Sequence, residues 1–114
     1  MSREGAVFRR FCEGTARLWR REWVRTGSVS EERFQLAAQV PCALCPLTDQ
    51  APQRGAMAQL SHRAKLFLPA DTPAEDGMRV EVERRGKTLT FVTTGEPACY
   101  QSHLEITVVR EEWA

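Results

Sequence analysis

The chain has 114 residues and a net charge of +1, from 16 basic and 15 acidic side chains. The length fits a single domain over residues 1–114, and the charge balance argues against a dedicated nucleic-acid-binding protein, which usually carries a strong basic excess. No apolar run approaches the roughly 20 residues that cross a bilayer, so we expect no membrane partner. The N-terminus has no long apolar stretch, so we do not expect secretion. The four cysteines are then expected as thiols or metal ligands rather than disulfides.

The first segment, SREGAVFRRFCEG, has the apolar spacing of one helix face. Val7, Phe8, Phe11 and Cys12 recur at one-, three- and four-residue spacings, and Gly14 ends the pattern. The segment is too short to be stable alone, so we expect a short N-terminal helix that docks on the rest of the domain. An arm that grips a neighbouring subunit is the alternative.

Two apolar runs about a glycine turn predict a β-hairpin next. The first run, TARLWRREWVR, ends where residues 26–28, TGS, break the pattern. The second run, EERFQLAAQVPCALC, resumes the alternation. It places four apolar side chains on one side of a two-residue repeat: Phe34, Leu36, Ala38 and Val40. We therefore expect both runs to be strands.

Residues 46–57 differ in kind from the runs around them. They are mostly polar, they include two prolines and a glycine, and residues 46–55 show no period. We expect a loop there that is long for so small a domain, and loops of that length are often functional or mobile. This segment is the candidate functional loop of the chain, with the residues Pro46, Leu47, Thr48, Asp49, Gln50, Ala51, Pro52, Gln53, Arg54, Gly55, Ala56 and Met57.

Residues 56–68 show the clearest period in the chain, a strict alternation that predicts a half-buried strand ended by Pro69. The side chains that point one way are Ala56, Ala58, Leu60, His62, Ala64, Leu66 and Leu68. His62 thus lies on the apolar side. It is a ligand, a pH switch or, more simply, a histidine near a strand end.

Shorter alternating runs fill the remainder, and residues 84–87, RRGK, form a hairpin turn with a glycine where positive φ is expected. The chain is therefore expected to be mainly β, a small antiparallel β-barrel or sandwich with a short N-terminal helix. The apolar side of each alternating strand predicts the main buried positions. They are Leu66, Leu68, Val80, Val82, Leu89, Phe91, Leu104, Ile106 and Val108.

Cys42, Cys45, Cys99 and His103 are the candidate metal ligands, because zinc favours thiolate and imidazole in a tetrahedral set. A small zinc-stabilised protein-binding module is accordingly one hypothesis. The two pairs are far apart in sequence and neither lies in a glycine-marked knuckle, so core or loop-edge thiols are the simpler interpretation. No catalytic motif is present, so we expect neither an enzyme nor a cofactor.

The second half of the chain carries a series of turns and alternations in a characteristic order. They are QVPCAL (39–44), KLFLP (65–69), DG (76–77), MRVEV (78–82), RRGK (84–87), TGEP (94–97) and YQSHLEITVVRE (100–111). In this combination the sequence resembles the head–tail connector proteins of tailed bacteriophages and prophages. These are the head-completion or stopper proteins, sometimes called minor capsid or tail components.

The resemblance implies a structural subunit of a homo-oligomeric ring, present in the virion at the head–tail interface and made in the bacterial cytoplasm. Its partners would be portal or adaptor ring proteins and tail or tail-terminator proteins, and DNA would pass through without sequence specificity. In this pattern the histidine of SHLE, His103, introduces the last strand and no metal is needed. The loop of residues 46–57 is the segment expected to reach into the channel and act as the stopper.

Overall fold

The computed structural model describes residues 12–47 and 63–111. These residues form six strands: β1 (Gly14–Thr26), β2 (Val29–Pro46), β3 (Arg63–Pro69), β4 (Arg79–Arg84), β5 (Lys87–Cys99) and β6 (His103–Arg110). The prediction of a mainly antiparallel β fold is confirmed. Residues 1–11, which carry most of the predicted N-terminal helix, lie outside the described residues, as does His62. Within the described ranges no helix is long and apolar enough to cross a membrane.

The six strands form one antiparallel sheet that closes on itself as a barrel. Its order is β1-β2-β3-β6-β5-β4, and β4 returns to pair with the first part of β1, from Thr15↔Glu83 to Trp19↔Arg79. The closing contact is tight at Gly14, where a Cβ would lie 2.8 Å from the backbone oxygen of Glu83. Any larger residue there would have to push β1 and β4 apart.

The barrel interior holds one apolar core, drawn from the alternate residues of every strand. All the predicted core positions are buried except Leu89, which is partly buried and packs against the core beside the β4–β5 turn. Several further apolar residues, outside the predicted set, are also buried. They are Ala16, Leu18, Cys42, Ala64 and Met78.

A β-bulge in β2 separates apolar residues that the sequence put on one side. Leu18 pairs with Ala38 but Trp19 pairs with Leu36, so Ala37 is an extra residue in β2. A bulge of this kind reverses the alternation beyond it. Ala38 and Val40 therefore face the core, whereas Phe34 and Leu36 face outward, and Leu36 is 45% exposed. The predicted common face of these four residues is wrong for that reason.

The turn between β3 and β4 is fastened to β5 by Thr93, which is buried. The amide of Met78 donates to Thr93 Oγ1 at 2.8 Å, and the Thr93 hydroxyl donates to the backbone oxygen of Glu75 at 2.6 Å. The backbone of Thr93 makes two more bonds, one from the Gly77 amide and one to the Met78 oxygen. Four hydrogen bonds thus converge on one residue and hold the turn in place.

Candidate functional site

The predicted functional loop begins later than its sequence indicated. Pro46 is the last residue of β2 and pairs with Ala64, and the amide of Leu47 still donates to the backbone oxygen of Arg63 at 3.1 Å. The backbone therefore continues the sheet through Leu47. Residues 48–57 lie outside the described residues. Their role at a channel stays a prediction.

The four candidate metal ligands are not brought together. Cys42 and Cys45 are three positions apart on β2, so their side chains point to opposite faces of the strand. Cys42 is 1% exposed in the core, whereas Cys45 is exposed on the surface. Cys99 is exposed at the end of β5. In residues 12–47 and 63–111, no group of three or more Cys, His, Asp or Glu side chains could hold a metal ion.

The Cys42 thiol is unreactive in this position. Burial raises its pKa from 9.0 to about 12, and the neighbouring Cys12 adds to the shift. A metal ligand or a nucleophile needs the thiolate form. At neutral pH Cys42 is therefore a protonated, apolar core residue.

His103 begins β6, as the interpretation of SHLE as a strand entry predicted. Its Nδ1 lies 2.8 Å from Ser102 Oγ and its Nε2 lies 2.9 Å from Glu105 Oε2. The ring also stacks on Tyr100, with centroids 5.0 Å apart, and tilts against Phe67 at 5.8 Å. Serine, histidine and glutamate are residue types of hydrolytic triads. Here they lie close together in sequence and order the turn that enters β6.

The largest departure from the barrel shape is the far half of the β1–β2 hairpin. β4 pairs with β1 only as far as Trp19, and β3 pairs with β2 only from Ala43 onward. Among the described residues, 20–26 and 29–35 pair only with each other. We call residues 20–35 the arm. The sequence predicted the hairpin, but it did not indicate that half of it extends past its neighbours.

The outer face at the base of the arm is a groove lined by aromatic and charged side chains, Trp19, Phe34, Arg79 and Glu81. The indole Nε1 of Trp19 donates to Glu81 Oε1 at 2.7 Å, and the Arg79 guanidinium lies 5.3 Å from the centre of the Phe34 ring. The Arg79 Nε is buried and has no hydrogen-bond partner among the described residues. The groove thus combines two half-buried aromatic rings with a buried guanidinium nitrogen that has no acceptor among the described residues.

The arm also exposes large apolar side chains. Trp23 is 67% exposed and Val29 58%, and Leu36, which follows the arm on β2, is 45% exposed. Single exposed apolar residues are ordinary on protein surfaces. Trp23 and Val29 lie on opposite faces of the hairpin, so Trp23, the more exposed of the two, is the candidate contact residue. Tryptophan in particular is over-represented among residues that dominate binding energy.

A second surface lies at the same end of the barrel as the base of the arm. Residues 70–78 and 95–102 contain Asp71, Glu75, Asp76 and Glu96 and no lysine or arginine. We call these two segments the acidic end. Glu75 binds Arg20 at 3.0 Å, and Asp76 accepts a hydrogen bond from the Gly95 amide. Neither Asp71 nor Glu96 has an ion-pair partner in the part of the chain that the structure describes.

The chain resembles solved structures in its fold. The solution structure of protein SF1141 from Shigella flexneri 2a superposes with a TM-score of 0.68 at 9% identity, covering 88% of this chain and 93% of that chain. The phage-like element PBSX protein xkdH from Bacillus subtilis superposes with a TM-score of 0.57 at 10% identity, covering 88% and 95%. No family model and no curated protein matches the sequence. At these identities the likeness shows a shared fold.

Proposed function

We propose that this chain is a structural subunit of a phage head–tail connector ring, a head-completion or stopper protein without chemistry of its own. The observation that carries the proposal is the shared fold with a protein of the phage-like element PBSX over nearly the whole of both chains. The series of motifs from QVPCAL to YQSHLEITVVRE points to the same class from the sequence.

The proposal includes the partners of such a ring. Copies of the chain assemble with one another and contact a portal or adaptor ring on one side and a tail or tail-terminator protein on the other. The assembly belongs to the virion at the head–tail interface, and the chain is made in the bacterial cytoplasm. A net charge of +1 suits a passage through which DNA moves without being held.

Two features of the described residues support an assembling role. The strands close into a barrel, and the arm adds a projection with exposed apolar side chains. A ring requires different surfaces on each subunit to meet by rotation, and the arm and the acidic end are two such surfaces. Closure of the channel by residues 48–57 is a separate part of the proposal, based on the sequence alone.

Deletion of the gene in the phage or prophage that encodes it tests the proposal. We expect induction to give separate heads and tails, with heads that have lost their DNA, because the connector is incomplete. Electron microscopy and nuclease protection of packaged DNA measure both effects. A plasmid copy of the gene should restore joined particles. Normal tailed particles after deletion would show that the chain has another function.

A plasmid copy that lacks residues 48–54 tests the stopper loop separately. We expect the shortened chain to fold, because none of its described core residues is removed, but to leave heads that leak DNA. Restoration of full DNA retention by this copy would remove the loop from the proposal and leave the connector role intact.

A further inference from the structure

We propose that the arm of one copy docks on the acidic end of a second copy, so that the chain assembles head to tail. Trp23 and Arg25 of the arm would meet Tyr100, Asp71 and Glu96 of the neighbour. The inference deepens the proposed connector role and rests on it for its biological meaning, because it names the surfaces that join the ring.

The first support is the distribution of exposed apolar side chains. Among the described residues, the large apolar side chains that are exposed are Trp23, Val29, Leu36 and Tyr100. Trp23 and Val29 belong to the arm, and Leu36 follows it on β2. Tyr100, 53% exposed, belongs to the acidic end. Aromatic residues are enriched at interface centres, and these two surfaces each offer one.

The second support is the charge that each surface leaves unpaired. Arg25 has no ion-pair partner among the described residues, in contrast to Arg20 and Arg21, which bind Glu75 and Glu32. On the acidic end, Asp71 and Glu96 are likewise without an ion pair in the described ranges. Glu22 of the arm is also without an ion pair in the described ranges, but it alternates with Trp23 and Arg25 along β1 and lies on the other face. The face with Trp23 and Arg25 thus retains an unpaired cation, and the acidic end retains unpaired anions. Opposite unpaired charges favour the encounter of the two surfaces and fix how they align.

The third support is the reach of the arm. Arg20 already binds Glu75 of its own chain at the base. A strand rises about 3.3 Å per residue, so Arg25 lies roughly 16 Å farther along the arm. The tip therefore extends beyond its own acidic end, so any acidic-end carboxylates that pair with it come from another molecule. Because the two surfaces differ, the contact is heterologous and gives rings or open chains rather than a closed pair.

The mixed charge of the arm favours a second copy of the chain, rather than DNA, as the partner that the arm binds. Residues 20–35 carry four arginines against three glutamates, Glu22, Glu31 and Glu32. Affinity for nucleic acid rises with the number of phosphates that cations neutralise, and these carboxylates oppose it. A protein surface that has a few carboxylates at fixed positions and an aromatic ring matches the arm better than DNA does.

Charge reversal in two complementary variants tests the contact directly. One variant carries Arg25→Glu, and the other carries Asp71→Lys with Glu96→Lys. Each alone brings like charges together at the interface, so we expect the dissociation constant for self-association to rise about tenfold or more. Mixed in equal amounts, each arm finds an opposite charge on the other variant, and assembly should return. Sedimentation equilibrium and native mass spectrometry measure the assemblies, and circular dichroism checks that each variant is folded.

Truncation of the aromatic anchor gives an independent readout. Trp23→Ala should also weaken assembly about tenfold or more, without loss of the fold, because the side chain is mostly exposed. Lys87→Glu is the matched control. Lys87 is exposed in the β4–β5 turn at the opposite end of the barrel, so this reversal should leave assembly unchanged.

Four outcomes would overturn the inference. They are wild-type protein that stays monomeric up to about 1 mM, unchanged assembly in either charge variant alone, no recovery in the mixture, and arm-dependent binding of a labelled DNA duplex in place of self-association. The connector role is judged separately by the gene deletion. Separate heads and tails after deletion, together with wild-type-like assembly of the Arg25→Glu chain, would reject the arm contact and keep the role.

Discussion

Phe91 is the largest side chain fully enclosed by the barrel, at 1% exposed. We expect Phe91→Ala to lower the free energy of unfolding by about 3–5 kcal/mol, because the change removes buried surface and leaves a cavity among residues of several strands. Urea denaturation followed by circular dichroism measures the loss. Phe67→Ala is the control, since Phe67 is only half-buried on the outer face of β3, and it should cost clearly less. Equal losses would contradict the inward register of β5.

Cys42 gives the chain a stability that depends on pH. Burial raises the pKa of this thiol from 9.0 to about 12. Below pH 9 the thiol is protonated in both the folded and the unfolded chain, so its contribution is fully present. Between pH 9 and about 12 only the unfolded chain loses the proton, and the free energy of unfolding should fall by up to about 1.4 kcal/mol per pH unit.

Comparison with Cys42→Ala isolates this effect, because alanine does not titrate. The variant should be less stable at neutral pH, since it loses buried volume, but its stability should fall less steeply above pH 9. Denaturation curves at intervals from pH 7 to the highest pH at which the chain remains folded measure both slopes. Parallel profiles for the two proteins would show that the thiol ionises as easily in the fold as outside it.

Individual residues show which buried positions could be predicted from the sequence and which could not. Alternation predicted Leu66, Leu68 and Phe91 in the core because side chains on a strand face opposite sides in turn. It failed for Phe34 and Leu36, because the single extra residue Ala37 reverses that alternation. Nothing in the run RFQLAAQV distinguishes a bulge from a regular strand.

At the scale of elements, the arm differs from the strands of the barrel wall in what lies beside it. Each strand of the wall has hydrogen-bonded neighbours on both sides, as β3 has in β2 and β6. In the part of the chain that the structure describes, residues 20–26 and 29–35 have a neighbour on one side only. We expect amides of the arm to exchange with solvent faster than those of β3 in the isolated monomer, since they open locally without unfolding the barrel.

Hydrogen exchange measured by nuclear magnetic resonance at a concentration where the chain is monomeric checks this. Leu66 and Leu68 in β3 are the reference amides. Arm amides as slow as these would mean that the hairpin is packed against the barrel along its whole length. In assembled protein, slower exchange confined to the arm would accord with its docking on a neighbour.

The arm illustrates why the candidate surfaces could not be predicted from the sequence. The hairpin was predicted from two apolar runs about a glycine turn. The projection is reflected in the strand lengths, because β1 and β2 are longer than the strands beside them. β1 and β2 have 13 and 18 residues, whereas β4 and β3 have 6 and 7. Without the pairing partners, however, excess length cannot be assigned to a projection. The acidic end was missed because its residues come from two separate turns.

At the scale of the whole molecule, barrel closure depends on residues distant in sequence. The pairing of Leu18 with Val80 joins the first strand to the fourth, and alternation cannot identify such partners, so the sequence left barrel and sandwich open. Closure over long loops also slows folding, because their entropy must be lost before the contacts form. We expect refolding within about milliseconds to seconds, measured by stopped-flow tryptophan fluorescence. A microsecond phase that accounts for the full change in signal would contradict it.

The hydrogen bonds of Thr93 have a consequence for the kinetics of recognition. A loop that must become ordered when a partner arrives loses conformational entropy at that moment, and the loss weakens binding. The turn around Glu75, Asp76 and Gly77 has already lost that freedom during folding, because its backbone is tied to the buried Thr93. This turn of the acidic end therefore meets any partner in a fixed shape. A Thr93→Val chain, with a similar side-chain volume but no hydroxyl, would have to order this turn when the partner arrives, so it would bind the same partner more slowly and more weakly.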